Sequence, residues 1–499
     1  MSGIRVTYTG LIAFVSGIIA VVFGLVTTLI ITRGLSAEEF GTWRLIISLL
    51  AYVVYIQPII TFWVTRETAR KIATGKTAIL ASGLFSCIAI ILYVIIVYSI
   101  SDQTDADMNI LLSAVVMVPV LFLYTLLSAI NYGWKPHAVS YGILALEATK
   151  IPLLVITIFW FDMGVSGIIT AMTIAYVPSI VILFIYSKEK LKNELQIKFF
   201  KKWLKLFWVP LYPSFGSIVA ALDVLIFSIL TGSVVGLAYH GAAIIISKLC
   251  DNAILVANAV YPKLLEGKEL GSLIQRNISL LSFFAIPLAT GSIFFAKPAI
   301  YALNPIYVDA YPAIIFMTIR CFLFAYTVPF ADFLKGIEKV DTDEKASFKD
   351  YIKSKLFLVP TVRVIQYSVY LISLIFILMI VVSGSTDVEL IIYWSIVWLA
   401  TEIPIFIYFY ILTKKNFKFK LETKKFVKYL VASIATIGGS YLLSLEFLEF
   451  KPNILDFLPN LLLFVGLGIG GYLVLTYFID DRTRKLVSAI INEMKNKKR

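Results

Sequence analysis

The sequence predicts an all-α, polytopic membrane protein with about fourteen transmembrane helices, and three observations lead to this prediction. First, 60% of the 499 residues are hydrophobic and only 15% are charged, with a mean hydropathy of +0.89. A water-soluble domain needs more polar surface than this composition provides. Second, apolar runs long enough to cross ~30 Å of hydrocarbon recur along the chain. Third, lysine and arginine gather in alternate loops.

The apolar runs define the predicted spans in order. The first begins near Thr9 and is too long for the core of a signal peptide, so we interpret it as a retained span. The spans are predicted at about 9–32, 42–65, 78–100, 109–131, 139–160, 165–187, 206–231, 235–260, 277–297, 311–333, 357–383, 389–413, 426–444 and 457–479.

The distribution of charge predicts the orientation. If the N-terminus is cytoplasmic, the outer loops contain only Arg33, Lys297 and Lys451, and every inner segment carries lysine or arginine. This asymmetry fits the positive-inside rule, with both termini on the cytoplasmic side of the cell membrane. The formal net charge of +13 is explained by topology, so no nucleic-acid partner is predicted.

An internal repeat predicts the domain organisation. The first six spans and the next six share a layout in which Gly41 corresponds to Gly236. Because six is an even number, both halves run in the same direction, which predicts two lobes in parallel repeat with the site between them. The predicted parts are an N-lobe (1–187), a basic amphipathic linker (188–205), a C-lobe (206–413), two appended C-terminal spans (414–479) and a basic cytoplasmic tail (480–499).

One span of the C-lobe carries a polar stripe. If 235–260 is a continuous α-helix, His240, Ser247, Asp251 and Asn258 fall within about 20° of one line. A polar stripe on a helix that is otherwise fit for lipid predicts a wet or protein-lined cavity.

Ionisable residues inside the spans indicate a site, because each costs roughly 2.5–3.5 kcal/mol at the bilayer centre. Arg44, Asp332 and Lys428 lie near span ends, where a side chain can snorkel to the interface. Two pairs three residues apart can neutralise themselves within a helix, Glu147 with Lys150 and Lys248 with Asp251. Four residues have no local partner and are predicted to meet one another, water or a ligand: Asp223, Arg320, Arg363 and Glu402.

We predict that the cations bind an anionic headgroup, because the planar guanidinium donates two bonds to a phosphate. The predicted substrate-binding cations are Lys150, Lys248, Arg320, Arg363 and Arg44. The counter-ion or coupling-ion candidates are Asp223, Asp251, Glu147 and Glu402, and the polar lining candidates are His240 and Asn258. No catalytic residue, cofactor or metal site is predicted, since the sequence lacks a P-loop, a His-Glu-x-x-His motif and a nucleophile elbow.

Several motifs carry a family resemblance. The segment from Thr32 to Gly41 resembles the first outer turn of Wzx-type polysaccharide flippases. So do Leu222-Asp223-Val224 with the glycine-containing turn 235–239, the segment 261–264, and the stretch from Lys297 to Ala310. These flippases belong to the multidrug/oligosaccharidyl-lipid/polysaccharide (MOP) exporter superfamily.

The resemblance covers essentially the whole chain and implies two six-span lobes plus two further spans. It also implies translocation of a polyprenyl-phosphate-type, lipid-linked oligosaccharide across the cytoplasmic membrane by alternating access, for surface polysaccharide or glycan assembly. The expected partners are that substrate, membrane lipid, a coupling Na⁺ or H⁺ and the glycan-assembly machinery. The resemblance assigns no site residue directly.

Two other functions stay open at this point. A cation-coupled multidrug exporter of the same superfamily usually has twelve spans and an acid-rich cavity, whereas cations are at least as frequent here. A membrane polysaccharide polymerase or ligase needs a sizeable outer loop for its chemistry. The longest outer loop here, about 297–310, carries a single acid, Asp309.

Overall fold

The structure is a computed structural model that describes residues 22–192, 194–254, 270–336, 338, 348–420, 422–481 and 484. Every regular element within these residues is helical. Twelve helices are long and apolar enough to cross a membrane, and a bent helix pair forms a thirteenth candidate span. The predicted class, an all-α multi-pass membrane protein, is therefore confirmed, and the count agrees roughly with the expected fourteen.

The helices follow the predicted spans closely, with ends that differ by a few residues. They are α1 (Val22–Gly34), α2 (Ala37–Val54), α3 (Pro58–Ala69), α4 (Gly75–Ile100), α5 (Met108–Trp134), α6 (Pro136–Trp160), α7 (Gly164–Leu191), α8 (Ile197–Lys205), α9 (Trp208–Thr231), α10 (Val234–Ser247), α11 (Leu270–Phe294), α12 (Ala296–Leu303), α13 (Tyr311–Gly336), α14 (Lys355–Val381), α15 (Asp387–Phe417), α16 (Thr423–Phe447) and α17 (Ile454–Ile479).

The first two predicted spans differ from simple helices. Residues 9–21 lie outside the described part of the chain, so only the end of the first span is seen, as α1. The second span, predicted as one helix over 42–65, consists of α2 and α3, which meet at 61°. Pro58 begins α3, and its ring and missing N–H prevent α2 from continuing through that point.

The outer turn before α2 is held by local hydrogen bonds and by close packing. Ser36 caps the helix: its hydroxyl accepts from the Glu39 N–H at 3.1 Å, and the Glu39 carboxylate accepts from the Ser36 N–H at 2.9 Å. A Cβ at Gly41 would overlap the backbone carbonyl of Val234 at the start of α10. The glycine is therefore required for α2 and α10 to approach each other.

Several helices present continuous apolar faces to their surroundings. On α4 the exposed residues Leu84, Ile88, Ile91 and Ile95 recur every three or four positions and are 49–60% exposed. A stripe of this length has no counterpart on soluble proteins, and hydrocarbon is the solvent that suits it.

The chain divides into two compact units, each with its own packed interior. The first comprises Met1–Tyr239 with Leu374–Asp387, and the second comprises His240–Ser373 with Val388–Arg499. The predicted N-lobe and C-lobe rest on a sequence repeat and have different boundaries, so the division into lobes stays a prediction.

In the first unit, the basic linker forms a short helix docked on the bundle. Trp203 of α8 is fully buried in a core that includes Ile60, Val64 and Leu127. Its indole Nε1 donates to the Glu67 carboxylate at 3.2 Å, and Lys202 Nζ donates to the same carboxylate at 3.0 Å. The helix is shorter than the predicted linker, because residues up to Leu191 continue α7.

The second unit has an aromatic core at the ends of α11, α13 and α15, built around Phe330, Phe409 and Tyr326. The appended helices α16 and α17 pack on α11, where the Tyr472 hydroxyl donates to the Phe283 carbonyl at 2.8 Å.

The hydrogen bonds that hold helix α8 to Glu67 give the first testable prediction. Glu67→Gln removes the charge that Lys202 and Trp203 share, and hydrogen bonds to a buried charged group contribute about 1.5–3 kcal/mol each. We expect amide hydrogen exchange in Ile197–Lys205 to accelerate at least tenfold, measured by mass spectrometry. Glu194→Gln, an exposed acid beside the same helix, is the matched control; equal exchange in both variants contradicts the prediction.

Candidate functional site

Four side chains form a buried polar cluster in the second unit, which we call the arginine cluster: Arg320, Arg363, Gln366 and Glu402. The Glu402 carboxylate is fully buried and lies 3.6 Å from Arg320 Nη2 and 3.2 Å from Arg363 Nη1. Gln366 Nε2 donates to Glu402 at 2.8 Å, and the Gln366 carbonyl accepts from Arg363 at 2.7 Å. Two guanidinium groups therefore share one carboxylate.

Three helices position the cluster. Arg320 comes from α13 and Glu402 from α15, and Arg363 and Gln366 lie three residues apart on one face of α14. Aromatic rings cover the cations: the Arg320 guanidinium lies 4.4 Å from the Phe324 ring centroid and 4.1 Å from that of Trp398. Each ring is close enough for a cation–π contact with Arg320, which is buried.

Arg320 retains an unused donor. Its Nε is buried, and no hydrogen-bond acceptor reaches it among the residues that the structure describes. Asp251 interacts electrostatically with Arg320, Lys248 and Glu402, so the segment that follows α10 borders the cluster. With Asp251 included, the two guanidinium groups face two carboxylates. The Lys248 side chain, three residues before Asp251, is exposed.

The predicted polar stripe is wrong in one respect. The α-helix ends at Ser247, and Lys248–Ala253 forms a 3₁₀ helix. A 3₁₀ helix advances about 120° per residue, so Asp251 lies roughly 120° from the line that His240 and Ser247 share. Asn258, the last member of the stripe, lies outside the described residues.

His240 packs against an aromatic ring. It is 3% exposed, and its imidazole stacks on the Trp394 indole with centroids 3.9 Å apart and an interplanar angle of 8°. Trp394 Nε1 in turn donates to the Tyr370 hydroxyl at 2.5 Å. The stack gives His240 a packing contact, and its role as a polar lining residue stays a prediction.

The remaining predicted charges lie in the first unit. Lys150 is buried and pairs with Glu147 of its own helix at 2.6 Å, the self-neutralising arrangement that their spacing allows. Asp223 interacts electrostatically with Arg44 and with Tyr52. Neither Lys150 nor Arg44 belongs to the arginine cluster, so the predicted set of cations is divided between the units.

An apolar cavity of about 350 Å³ lies one to two helical turns from the cluster, along the same helices. Leu323 and Tyr326 of α13 and Phe406 of α15 contribute to its wall, and Tyr326 is held by a 2.8 Å hydrogen bond to Ser282. The wall consists of Gln275, Ile278, Ser279, Ser282, Phe322, Leu323, Tyr326, Phe330, Phe406, Tyr410, Lys420, Glu422, Thr423, Lys425, Phe426 and Tyr429.

Charged groups lie at the rim of this cavity. Burial alone would raise the pKa of Glu422, but the hydrogen bond and the positive charge of Lys425 hold that pKa below its usual range. Lys425 Nζ donates to the Glu422 carboxylate at 2.8 Å. Lys420 is exposed at the same rim, so the mouth of an apolar cavity carries a positive charge in excess.

Sequence reasoning missed Gln366, Trp398 and the cavity. Gln366 follows Arg363 by three positions and Trp398 precedes Glu402 by four, so helical spacing places both beside a flagged charge. The cavity is made of ordinary core residues from several helices, and no local pattern marks it. Among the described residues, no group of three or more His, Cys, Asp or Glu side chains is placed to hold a metal ion.

The shared carboxylate gives the second prediction. Glu402→Gln removes the carboxylate that contacts both guanidinium groups, and breaking a buried ion pair from one side costs about 3–5 kcal/mol. We expect a clear fall in the apparent melting temperature of the purified protein, measured by differential scanning fluorimetry in detergent. Adding Arg363→Gln to Glu402→Gln should recover part of the loss.

The control for that experiment is Glu446→Gln, which changes an exposed acid on α16. Surface substitutions of this kind change stability by less than about 0.5 kcal/mol. If the E402Q and E446Q variants have the same apparent melting temperature, the shared carboxylate does not stabilise the fold.

Comparisons with known proteins agree on the fold. No protein-family model and no curated protein matches this sequence. An inward-facing conformation of a multidrug resistance MATE family transporter of the MOP superfamily aligns with a TM-score of 0.58 at 13% identity, covering 80% of this chain and 96% of that chain.

Two further structures give the same result. An outward-facing conformation of a MATE family transporter of the MOP superfamily aligns with a TM-score of 0.51 at 15% identity, covering 83% of this chain and 95% of that one. The structure of MATE in complex with MaL6 aligns with a TM-score of 0.52 at 14% identity, covering 83% of this chain and 96% of that chain. This chain therefore has the fold seen in MATE transporters of the MOP superfamily.

Proposed function

We propose that the protein translocates a lipid-linked oligosaccharide across the membrane, and that the arginine cluster binds the phosphate-bearing part of the substrate. The observation that carries this proposal is the pair of buried guanidinium groups that share the single carboxylate of Glu402. The MOP-superfamily fold is consistent with a transporter.

The charge balance supports an anionic substrate. A buried cation is costly unless an anion accompanies it. Among the described residues, Glu402 is the one carboxylate in ion-pair contact with both guanidinium groups, and the Nε of Arg320 is a buried donor without an acceptor. A diphosphate supplies acceptor oxygens that match the guanidinium fork and adds negative charge beside the two arginines.

The cavity supports a substrate that also has an apolar part. Its walls are aromatic and aliphatic, and its size lies at the lower end of the range of small-molecule sites. Helices α13 and α15 contribute to both the cavity and the cluster, so the second unit offers an anion-binding group and an apolar compartment on shared helices. This combination suits an amphiphile with a phosphate head.

A multidrug exporter is the second candidate, because the MATE structures named above include multidrug resistance transporters. An exporter of amphipathic cations needs an acid that is free to bind the drug. Glu402 is already engaged by two arginines and a glutamine, and Glu147 is engaged by Lys150. These pairings weigh against Glu402 and Glu147 as drug-binding acids.

Among the four acids predicted as counter-ions or coupling groups, Asp251 is our candidate for coupling to Na⁺ or H⁺. Its Oδ1 is buried without a hydrogen-bond partner among the described residues. Glu147 and Glu402 are already bound to cations, and Asp223 lies near Arg44.

The direct test is flipping in proteoliposomes. We expect purified protein to move a fluorescent polyprenyl-diphosphate sugar between leaflets, measured by the fraction that dithionite reduces over time. Arg363→Gln should lower the initial rate at least tenfold, because about 1.4 kcal/mol of binding free energy corresponds to a factor of ten. Lys428→Gln, which changes a lysine bonded to the Ile479 carbonyl outside the cluster, should leave it within twofold.

A deletion strain separates the two candidate functions. Accumulation of lipid-linked sugar on the cytoplasmic side, without altered resistance to cationic drugs, supports the flippase. Hypersensitivity to cationic drugs with normal lipid-linked sugar contradicts it and favours the multidrug exporter.

A further inference from the structure

The linker helix α8 carries four lysines in nine residues: Lys198, Lys201, Lys202 and Lys205. At 3.6 residues per turn they occupy an arc of about 100°. All four are exposed. Lys202 is bonded to Glu67, but the structure gives no acidic partner to the other three among the described residues.

The opposite side of α8 fixes its orientation. Trp203 is fully buried, Phe199 and Phe200 pack on the same core, and Glu67 receives the Trp203 and Lys202 donors. The Gln196 N–H before the helix donates to Thr77 Oγ1 at 2.9 Å. The lysine face is therefore held outward by packing and by three hydrogen bonds.

A second exposed strip lies between the buried face and the lysines. Ile197 and Leu204 are 56% and 42% exposed and fall within about 20° of each other on the helix. Around the helix, a docked aromatic face is thus followed by an exposed aliphatic edge and then by lysines. This arrangement of side chains is typical of a helix that lies at the boundary between acyl chains and headgroups.

We propose that α8 is a binding surface for anionic phospholipids of the cytoplasmic leaflet, with Lys198, Lys201 and Lys205 contacting the headgroups and Ile197 and Leu204 contacting the acyl chains. The charge of the lysines selects an anionic headgroup over a zwitterionic one, and the aliphatic edge selects a bilayer over a soluble polyanion. This surface is distinct from the arginine cluster and does not depend on the proposed substrate.

Each lysine near an anionic membrane strengthens binding about fivefold. Three such lysines are sufficient for a clear preference between lipids of equal chain length. Because α8 joins α7 to α9, bound lipid would also restrain the connection between two spans.

The test is lipid retention by the full-length protein. We expect native mass spectrometry of protein in mixed micelles of phosphatidylglycerol and phosphatidylcholine to show preferential retention of phosphatidylglycerol. The triple variant Lys198→Gln/Lys201→Gln/Lys205→Gln should reduce that preference at least tenfold.

The matched control is Lys414→Gln/Lys415→Gln/Lys418→Gln, which removes the same charge from exposed lysines in the last turn of α15 and just after it. It should keep the preference within about threefold. An equal loss in the two triple variants, or no preference in the unmodified protein, overturns the proposal.

Folding and the aliphatic edge are tested separately. Amide exchange in Trp208–Thr231 should be the same in both triple variants, which shows that the lysines are not needed for packing. Ile197→Gln/Leu204→Gln should weaken retention of both lipids; selective loss of phosphatidylglycerol alone would contradict the assigned role of the edge.

Discussion

The Glu402 carboxylate is the interaction on which the second unit depends. It is fully buried among three membrane-spanning helices, and two guanidinium groups and one amide converge on it. A single buried ion in hydrocarbon is too costly to persist, so α13, α14 and α15 must stay together for the charges to compensate one another. The contact of one carboxylate with two arginines is the arrangement on which the proposed binding of an anionic ligand rests.

Polar and apolar side chains lie close to each other around this cluster. Phe324 and Trp398 enclose Arg320, and beyond them the same helices line an apolar cavity whose rim carries Lys420, Glu422 and Lys425. The buried acids of the first unit have different partners. Glu147 neutralises Lys150 within one helix, and Glu67 holds α8 in place. Among the described residues, two guanidinium groups in contact with one carboxylate are therefore found in the second unit.

Much of the fold follows from the sequence, because span length and the positions of lysine and arginine are direct consequences of a bilayer. The sequence predicted less of the candidate site than of the fold. Arg320, Arg363 and Glu402 could be flagged as charges without local partners, and the structure brings them together. The sequence could not show whether Lys150 pairs with Glu147 or with a residue of another helix, since that depends on tertiary packing. Nor could it show the change to a 3₁₀ helix at Lys248, because the residues there would also suit an α-helix. The cavity arises from residues such as Phe322 and Phe406, which are indistinguishable from core residues until the helices are assembled.

Photocrosslinking tests the central claim most directly. A diazirine-bearing polyprenyl diphosphate, irradiated with the purified protein and mapped by mass spectrometry, should label peptides from α13, α14 and α15. Excess unlabelled polyprenyl diphosphate should abolish the labelling, and the corresponding uncharged polyprenol should not. Labelling confined to other helices, or equal competition by the uncharged alcohol, would contradict the account.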